Sequence, residues 1–336
     1  MQTKTLSLAE IEALAFDALT HVGASEKQAR PIAVATAKTE ADGVASHGLA
    51  YVPIYCEHVQ CGKVDGQAEP IVERPAGSLV RVNAATGFAH AAIDAGFEAL
   101  VPLAREQGIA GLSIYNSYNC GVLGVHTQTL AAKGLIALGF TNAPASIAPS
   151  GGSKPVVGTN PFSVAAPGSE GGVELLIDQS ASVIAKSEIM KHAREGKSIP
   201  EGWGLDADGN ATTDPEVALK GSMAPSGGYK GVGIGLTVEL FAAALSGAVL
   251  GKDASPFSGT VGGPPMTGQF FIAVAPDLTS GGTFADRLTD LTGAIREQEG
   301  ARLPGDGRGA ARARAKTEGV AVNVATLEKI EAILKG

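Results

Sequence analysis

The spacing of apolar residues predicts helices in the N-terminal part of the chain. Ser7 and Glu10 form a capping box, in which each side chain bonds a backbone amide that the first helical turn leaves free. Apolar residues then recur at helical spacing as far as Gly23. The same criteria predict a second helix over 25–43 and a third over 52–62.

From about Pro70 onwards, short apolar runs alternate with helical stretches. The runs are predicted to be strands and lie at 78–83, 109–115, 135–140, 162–166, 173–178 and 269–275. Helices are predicted at 88–108, 121–134, 232–250, 283–299 and 324–335, with loops and short helices over 185–230. This order predicts an α/β (α+β) protein with a helical part at 1–70, rejoined by 310–336, and a sheet-containing domain at 71–309.

One apolar stretch, 232–251, has the length of a membrane span, which takes about 20 residues. Glu239 and several glycines interrupt it, and Lys230 and Lys252 flank its two ends. We therefore expect a buried helix of an α/β core at this place, and no membrane partner.

Composition narrows the classes of function. The net charge of −8 argues against a nucleic-acid partner, because phosphate binding needs clustered Lys and Arg. The three cysteines, Cys56, Cys61 and Cys120, lack the spacing of a metal site, and their odd number fits reduced thiols. The N-terminal residues lead straight into a helix without a signal-peptide pattern. We therefore expect a cytoplasmic protein without a metal ion.

The run at 231–235 is the nearest approach to the glycine pattern of a Rossmann domain. That pattern is Gly-x-Gly-x-x-Gly directly after a strand, so that the next helix meets a pyrophosphate with its N-terminus. Leu236 stands where the third glycine would be. A dinucleotide, if one binds, is therefore expected on a different scaffold.

The most suggestive chemistry lies in the run Ser46-His47-Gly48. An imidazole titrates near neutral pH and can pass a proton to a reacting oxygen or nitrogen. The residues alone allow two interpretations of His47: a proton donor, or a histidine hydrogen-bonded near a helix end. Asp178 ends a predicted strand, where a carboxylate either forms a turn or serves a site.

Several motifs, taken together and in order, resemble the malate/L-lactate dehydrogenase family, whose members lack the Rossmann fold. The resemblance runs from about residue 5 to residue 308, and its motifs lie at 40–48, 62–66, 158–161, 227–231, 268–269 and 302–306. Further segments, at 199–203, 213–215 and 263–269, are most similar to the (2R)-3-sulfolactate dehydrogenase and cyclic-imine reductase branches.

The resemblance implies a mixed central sheet, NAD(P)H as cofactor, a homodimer, and hydride transfer to C2 of a small 2-oxo or 2-imino acid. By position, His47 matches the proton donor, Ser46 its relay partner, and Asp178 the carboxylate that orients and stabilises the imidazole. The implied function is a 2-hydroxy-acid dehydrogenase of the sulfolactate type. The alternatives are a piperideine/pyrroline-2-carboxylate reductase and a homologue that binds the dinucleotide but has lost catalysis.

The resemblance also assigns contacts to the substrate and the cofactor. The substrate-side residues are Tyr51, Asn119 and Thr159. The cofactor-side residues are Asn119, Cys120, Gly121, Val122, Leu123, Asp178, Gln179, Ser180, Lys230, Arg302, Gly305 and Arg308.

Three positions depart from the family pattern. Tyr51 replaces an arginine, and a phenol cannot supply the charge that pairs with a substrate carboxylate. Asn119 replaces a loop histidine, and Gly307 replaces a basic residue. Because these changes lie around the substrate, we expect the reaction class to be kept and the substrate to differ.

Four assignments stay open on the residues alone. The Gly-Thr-Asn-Pro run at 158–161 either forms a plain turn or presents amides to a ligand. Lys230 either meets a phosphate at a helix N-terminus or is solvated. His126 either packs in its helix or replaces the loop histidine. A basic stretch near the C-terminus comprises Arg308, Arg312, Arg314 and Lys316. It is either a solvated connector or neutralises the 2′-phosphate of NADP.

Overall fold

A computed structural model describes residues 2–168 and 171–336 of the chain. The strands, numbered in chain order, are β1 (Thr3–Leu6), β2 (Ile71–Ala76), β3 (Leu79–Asn83), β4 (Ile109–Ser117), β5 (Ile136–Thr141), β6 (Phe162–Pro167), β7 (Val173–Gln179), β8 (Gly204–Leu205), β9 (Ala211–Thr212), β10 (Ser222–Met223), β11 (Thr267–Val274) and β12 (Val320–Asn323). In the described residues, seven of them form a central sheet in the order β2-β3-β4-β11-β5-β6-β7. The β3–β4 pair is parallel and the other pairs are antiparallel, which confirms a mixed sheet in an α/β protein.

The described helices include the eight that the apolar spacing predicts, close to their positions, and two, at 276–280 and 306–318, that it does not. They are α1 (Leu8–His21), α2 (Glu26–Ala41), α3 (Val52–Gln60), α4 (Ala89–Gln107), α5 (Leu123–Ala131), α6 (Lys186–Glu195), α7 (Pro215–Lys220), α8 (Tyr229–Glu239), α9 (Pro276–Ser280), α10 (Phe284–Arg296), α11 (Asp306–Glu318) and α12 (Val324–Lys335). The predicted loop region holds α6, α7 and a small sheet of β8, β9 and β10.

The core of the central sheet forms around β11, which lies between β4 and β5. Phe271 of β11 is fully buried and packs edge-on against Phe97 of α4, with 5.0 Å between ring centroids. The register of β11 against β4 shifts near Gly268. A Cβ there would collide with the carbonyl oxygen of Ala242, so glycine lets the helical segment after α8 cross close over the strand.

The segment expected as one buried helix over 232–250 has a different form. The α-helix α8 is followed by a π-helical segment, Leu240–Leu245, after which the backbone turns at Gly247 with a φ of 74°. Val238 and Ala242 face the sheet, whereas Leu236, Leu240 and Leu245 are 47–62% exposed. The expectation of full burial was wrong, because mean hydropathy does not distinguish a covered helix from one lying on a sheet face. No described helix has both the length and the hydropathy that crossing a membrane requires.

The two ends of the chain lie together. β1 pairs antiparallel with β12, so that Thr3 stands opposite Asn323. Helix α12 contacts α1 and α3 and buries Leu327 and Ile330 among the apolar residues of that layer. The N-terminal helices therefore share a hydrophobic core with the last helix of the chain.

The basic stretch, for which a solvated connector was one of two interpretations, is part of helix α11, where Arg314 and Lys316 are exposed and Arg308 and Arg312 are paired. Arg308 bonds Asp178, and Arg312 lies with its Nε 2.6 Å from Oδ1 of Asp42 at the end of α2. The Asp42 side chain is only 2% exposed, whereas that of Arg312 is 33% exposed. Two ion pairs, one helical turn apart, thus attach α11 to the rest of the molecule.

We predict that Arg312→Gln lowers the free energy of unfolding by about 2 kcal/mol, because it leaves the buried Asp42 carboxylate without its cation. Urea unfolding followed by circular dichroism measures the change. Arg314→Gln, on the same helix at a more solvated position, is the matched control and should stay within about 0.5 kcal/mol of the parent. Equal stability of the two variants would contradict the prediction.

Candidate active site

Two short 3₁₀ turns, Ala45–His47 and Leu49–Tyr51, connect α2 to α3, and His47 ends the first of them. The buried Glu40 carboxylate fixes this connection by accepting a hydrogen bond from the amide of Leu49 at 2.7 Å. A Cβ on Gly48 would collide with the same carboxylate, so only glycine allows so close an approach. Burial raises the pKa of Glu40. The glycine after His47 thus has a packing role, and it allows the turn that presents the imidazole.

Two side chains contact the His47 imidazole. Ser46 Oγ lies 3.1 Å from Nδ1, and the Tyr51 ring stacks parallel to the imidazole with 5.9 Å between centroids. Burial lowers the pKa of His47, while the nearby negative charge of Asp178 acts in the opposite direction. With Ser46 at Nδ1, Nε2 is the nitrogen left for a reacting group.

Asp178, near the end of β7, is where three elements meet. Its Oδ2 accepts a hydrogen bond from Arg308 Nη1 of α11 at 2.7 Å. Gly124, at the start of α5, abuts this pair, since a Cβ there would lie 2.6 Å from Asp178 Oδ2 and 2.8 Å from Arg308 Nη1. Asp178 acts on His47 through its charge, because no hydrogen bond joins the two side chains among the described residues.

Asn119 closes the loop between β4 and α5. Its Oδ1 accepts from the amide of Gly121 at 2.6 Å, and its Nδ2 donates to Tyr51 Oη at 3.4 Å. Burial raises the pKa of Tyr51 to about 12, so the phenol is neutral. The surface that Tyr51 and Asn119 form beside His47 is therefore made of uncharged hydrogen-bonding groups. Cys120 is fully buried with a pKa raised to about 12, which makes it a packed thiol and not a nucleophile.

The Gly-Thr-Asn-Pro run owes its form to Asn160, which is fully buried and has a φ of 39°. Its Oδ1 accepts from the amide of Ala143, and its Nδ2 donates to Gly235 O at 2.9 Å and to Glu239 Oε2 at 2.8 Å. The carbonyl of Thr159 accepts from the amide of Ala181 at 2.8 Å, which ties this turn to the segment after β7. The run is thus a hydrogen-bonded junction, which is more than a plain turn.

Glu239 is a positioning residue that the sequence analysis used only as an argument against a membrane span. Its carboxylate accepts hydrogen bonds from Gly251 N at 2.6 Å, Asn160 Nδ2 at 2.8 Å and Asn142 Nδ2 at 3.5 Å. The signal that could have found it is a lone carboxylate in an apolar helical stretch, since a buried charge needs several donors.

The other residues assigned to the cofactor lie at different distances from the groups around His47. Gly305, with a φ of 98°, lies against Leu176 of β7 and thereby brings the start of α11 to Asp178. Ser180 Oγ lies 3.0 Å from Ser182 Oγ, and Gln179 is exposed beside it. Lys230 and Arg302 are exposed, and within the described residues no hydrogen bond or ion pair joins them to the groups around His47.

His126 is fully buried in α5, where its Nε2 lies 2.8 Å from the carbonyl oxygen of Cys120. Its ring packs against His90, with 5.3 Å between centroids. Burial lowers the pKa of His126 to about 4, so it stays neutral near pH 7. Of the two alternatives for this residue, the structure favours packing.

The start of α5 has the features of a site for a dinucleotide. The amides of Leu123 and Gly124 belong to the first helical turn, which has no intrahelical acceptors for them and attracts anionic or carbonyl groups. Gly121 has a φ of 66° and lies against His90, whereas Gly124 lies against the Asp178–Arg308 pair. Val122 and Leu123 anchor this turn in the core. An anionic or carbonyl group is what a helical turn of this kind would hold.

Comparison with known proteins gives one consistent family. A family model described as malate/L-lactate dehydrogenase matches residues 6–331. A (2R)-3-sulfolactate dehydrogenase (NADP(+)) of Chromohalobacter salexigens is 41% identical over 98% of both chains. A Delta(1)-pyrroline-2-carboxylate reductase of Ancylobacter novellus is 38% identical, over 98% of this chain and 97% of the other. The crystal structure of delta1-piperideine-2-carboxylate reductase from Pseudomonas syringae is similar with a TM-score of 0.92 at 34% identity, covering 98% of this chain and 100% of that one.

We predict that Glu239→Gln lowers the free energy of unfolding by about 2 kcal/mol, because a carboxamide brings a donor into a site that already contains three donors. Thermal or urea unfolding measures the loss. Thr237→Gln, on the exposed side of the same helix, provides the control and should change stability by less than about 0.5 kcal/mol. A Glu239→Gln variant as stable as the control would contradict this account of the junction.

Proposed function

The chain belongs to the malate/L-lactate dehydrogenase family, and from that premise we propose that it is an NAD(P)H-dependent oxidoreductase that transfers hydride to C2 of a small 2-oxo acid, as a sulfolactate-type dehydrogenase does. The observation that carries the proposal is the half-buried imidazole of His47, with Ser46 at Nδ1 and the Asp178 charge nearby. This is the arrangement that a proton donor to a carbonyl oxygen needs.

A reduced nicotinamide, when bound, would supply the hydride. His47 donates a proton from Nε2 to the substrate oxygen, and accepts one in the reverse direction. Ser46, at Nδ1, holds the imidazole with Nε2 towards the substrate and connects it to solvent, since Ser46 itself is exposed. Asp178 stabilises the imidazolium by charge. The α5 turn with Gly121, together with Gln179 at the end of β7 and Ser180 after it, would hold the cofactor.

The second candidate function is reduction of a cyclic imino acid such as pyrroline- or piperideine-2-carboxylate. Two relatives with these activities in their names support it. A specific observation also favours it: the surface formed by Tyr51 and Asn119 is uncharged. An imino acid protonated on nitrogen carries its own compensating charge, whereas a 2-oxo acid is a net anion and gains more from a cationic pocket.

The finer properties follow from the same proposal. The cofactor is NADH or NADPH, and NADP is named for one relative. We propose a cytoplasmic homodimer, for which the exposed leucines of α8 and the following π-helical segment offer an apolar surface.

We predict that the protein oxidises NADH or NADPH, followed at 340 nm, with at least one compound of a mixed panel. The panel contains pyruvate, oxaloacetate, sulfopyruvate, ketopantoate, piperideine-2-carboxylate and pyrroline-2-carboxylate. His47→Gln should lower kcat by roughly 100-fold or more, because the proton donor is lost. Fluorescence titration of the cofactor should give an unchanged affinity. Cofactor binding without turnover on any compound would overturn the enzyme proposal in favour of a binding protein.

The pH dependence of reduction should report His47. Reduction needs the protonated imidazole, so kcat/KM falls as the pH rises through its pKa, which burial places below the usual 6.5. Asp178→Asn removes the charge that raises this pKa, and should move the falling limb to lower pH. The oxidation direction should show the mirror-image limb. Profiles of wild type and Asp178→Asn that coincide would contradict the assignment of His47 and Asp178.

A further inference from the structure

Arg308, assigned to the cofactor by resemblance, has a different partner in the structure. Its Nη1 donates to Asp178 Oδ2 at 2.7 Å, and the two side chains are 23% and 9% exposed. A guanidinium and a carboxylate in contact at this depth interact more strongly than a solvated surface pair, because less water screens them. The contact therefore fixes the orientation of the Asp178 carboxylate.

The backbone around the ion pair is shaped to bring its two residues together. Gly305 adopts a left-handed φ of 98° against Leu176, and the amide of Leu176 donates to the carbonyl of Pro304 at 3.2 Å. Gly124 leaves room for the pair at the start of α5. Glycine at both positions is thus required by close approach, independently of any cofactor.

The charged groups around His47 are few among the residues that the structure describes. Tyr51 and Cys120 both have pKa values raised to about 12 by burial, so neither is charged near neutral pH. Glu40 lies behind the turn and is bonded to the amide of Leu49. Burial lowers the pKa of His47 and the charge of Asp178 opposes that effect, and Arg308 is the cation in contact with Asp178.

We propose that Arg308 is a positioning residue for His47, which holds Asp178 Oδ2 and offsets part of the carboxylate charge that acts on the imidazole. The inference rests on the proposed function only in taking His47 as the proton donor. Asp178 favours the imidazolium, and an unopposed carboxylate would hold that proton too firmly for donation. Arg308 limits this effect and keeps the acid poised to give up its proton.

The first test does not need turnover. The chain has six histidines, so ¹³C-labelled histidine gives a small set of Cε1 signals, of which that of His47 is identified by its loss in His47→Gln. In the full-length protein, Arg308→Gln should move the His47 titration midpoint to higher pH, since the Asp178 charge is then unopposed. Asp178→Asn should move it to lower pH, and Arg308→Lys should stay close to wild type.

Kinetics give the second test. Arg308→Gln should lower kcat for reduction by roughly 10- to 100-fold, because the carboxylate and imidazole lose their relative geometry. The falling limb of the pH profile should move to higher pH, and Arg308→Lys should recover most of kcat. The KM for the cofactor should stay within about twofold.

Arg312→Gln is the matched control, because it removes the other ion pair of α11 without touching Asp178. It should lower stability yet leave the His47 midpoint in place. Equal shifts of the His47 midpoint in Arg308→Gln and Arg312→Gln would show that the docking of α11 causes the effect, and would overturn the proposal. An unmoved midpoint with a raised cofactor KM would overturn it in favour of a cofactor contact. Absence of turnover in wild type would refute the proposed function alone, and the titration would still decide the role of Arg308.

Discussion

The candidate site depends on one constraint: a carboxylate that is nine-tenths buried must be compensated. Asp178 meets that constraint through Arg308, which reaches it from α11 at 2.7 Å. To supply that guanidinium, α11 must dock against β7, and this explains the left-handed Gly305 and the second ion pair that Arg312 forms with Asp42. The requirement of one buried charge thus determines where a whole helix lies.

Several residues that look catalytic in a motif have positioning roles. Gly48 gives the Glu40 carboxylate room to approach the turn that carries His47. Asn160 holds the turn of Thr159 through bonds to Gly235 and Glu239. In both cases a buried polar side chain satisfies backbone groups that an irregular connection would leave unpaired. The motifs mark the site because an irregular backbone near a ligand can be held only in this way.

The sequence predicts those parts of the structure that depend on local periodicity. The helices of the N-terminal part and six of the seven described strands of the central sheet follow from spacing, and the structure has them close to where expected. The edge strand Ile71–Ala76 was not predicted. Periodicity does not report what an element packs against. It therefore missed the exposed face of α8 and the helical form of α11, whose arginines are satisfied by partners more than a hundred residues away in the chain.

The site residues were predicted to different depths for the same reason. Ser46 and His47 are adjacent, so their contact at 3.1 Å is readable from the sequence. The Tyr51–Asn119 bond and the carboxylate of Glu239 join segments far apart, and only the fold shows them. Contacts between neighbouring residues can be inferred from the sequence, whereas the electrostatic environment that distant segments create around them cannot.

The electrostatic field around His47 connects two features of this chain, the uncharged Tyr51 and the Asp178–Arg308 pair. Tyr51, which stacks on His47, is uncharged and supplies no cation to compete with the Asp178–Arg308 pair. The free energy of the proton on His47 is then set by burial against the charge of Asp178. A substrate that brings its own positive charge near the imidazole would disfavour the imidazolium further, whereas a net anion would favour it. The charge of a bound substrate would therefore contribute to the pKa of His47, and the uncharged side chain of Tyr51 does not oppose that contribution.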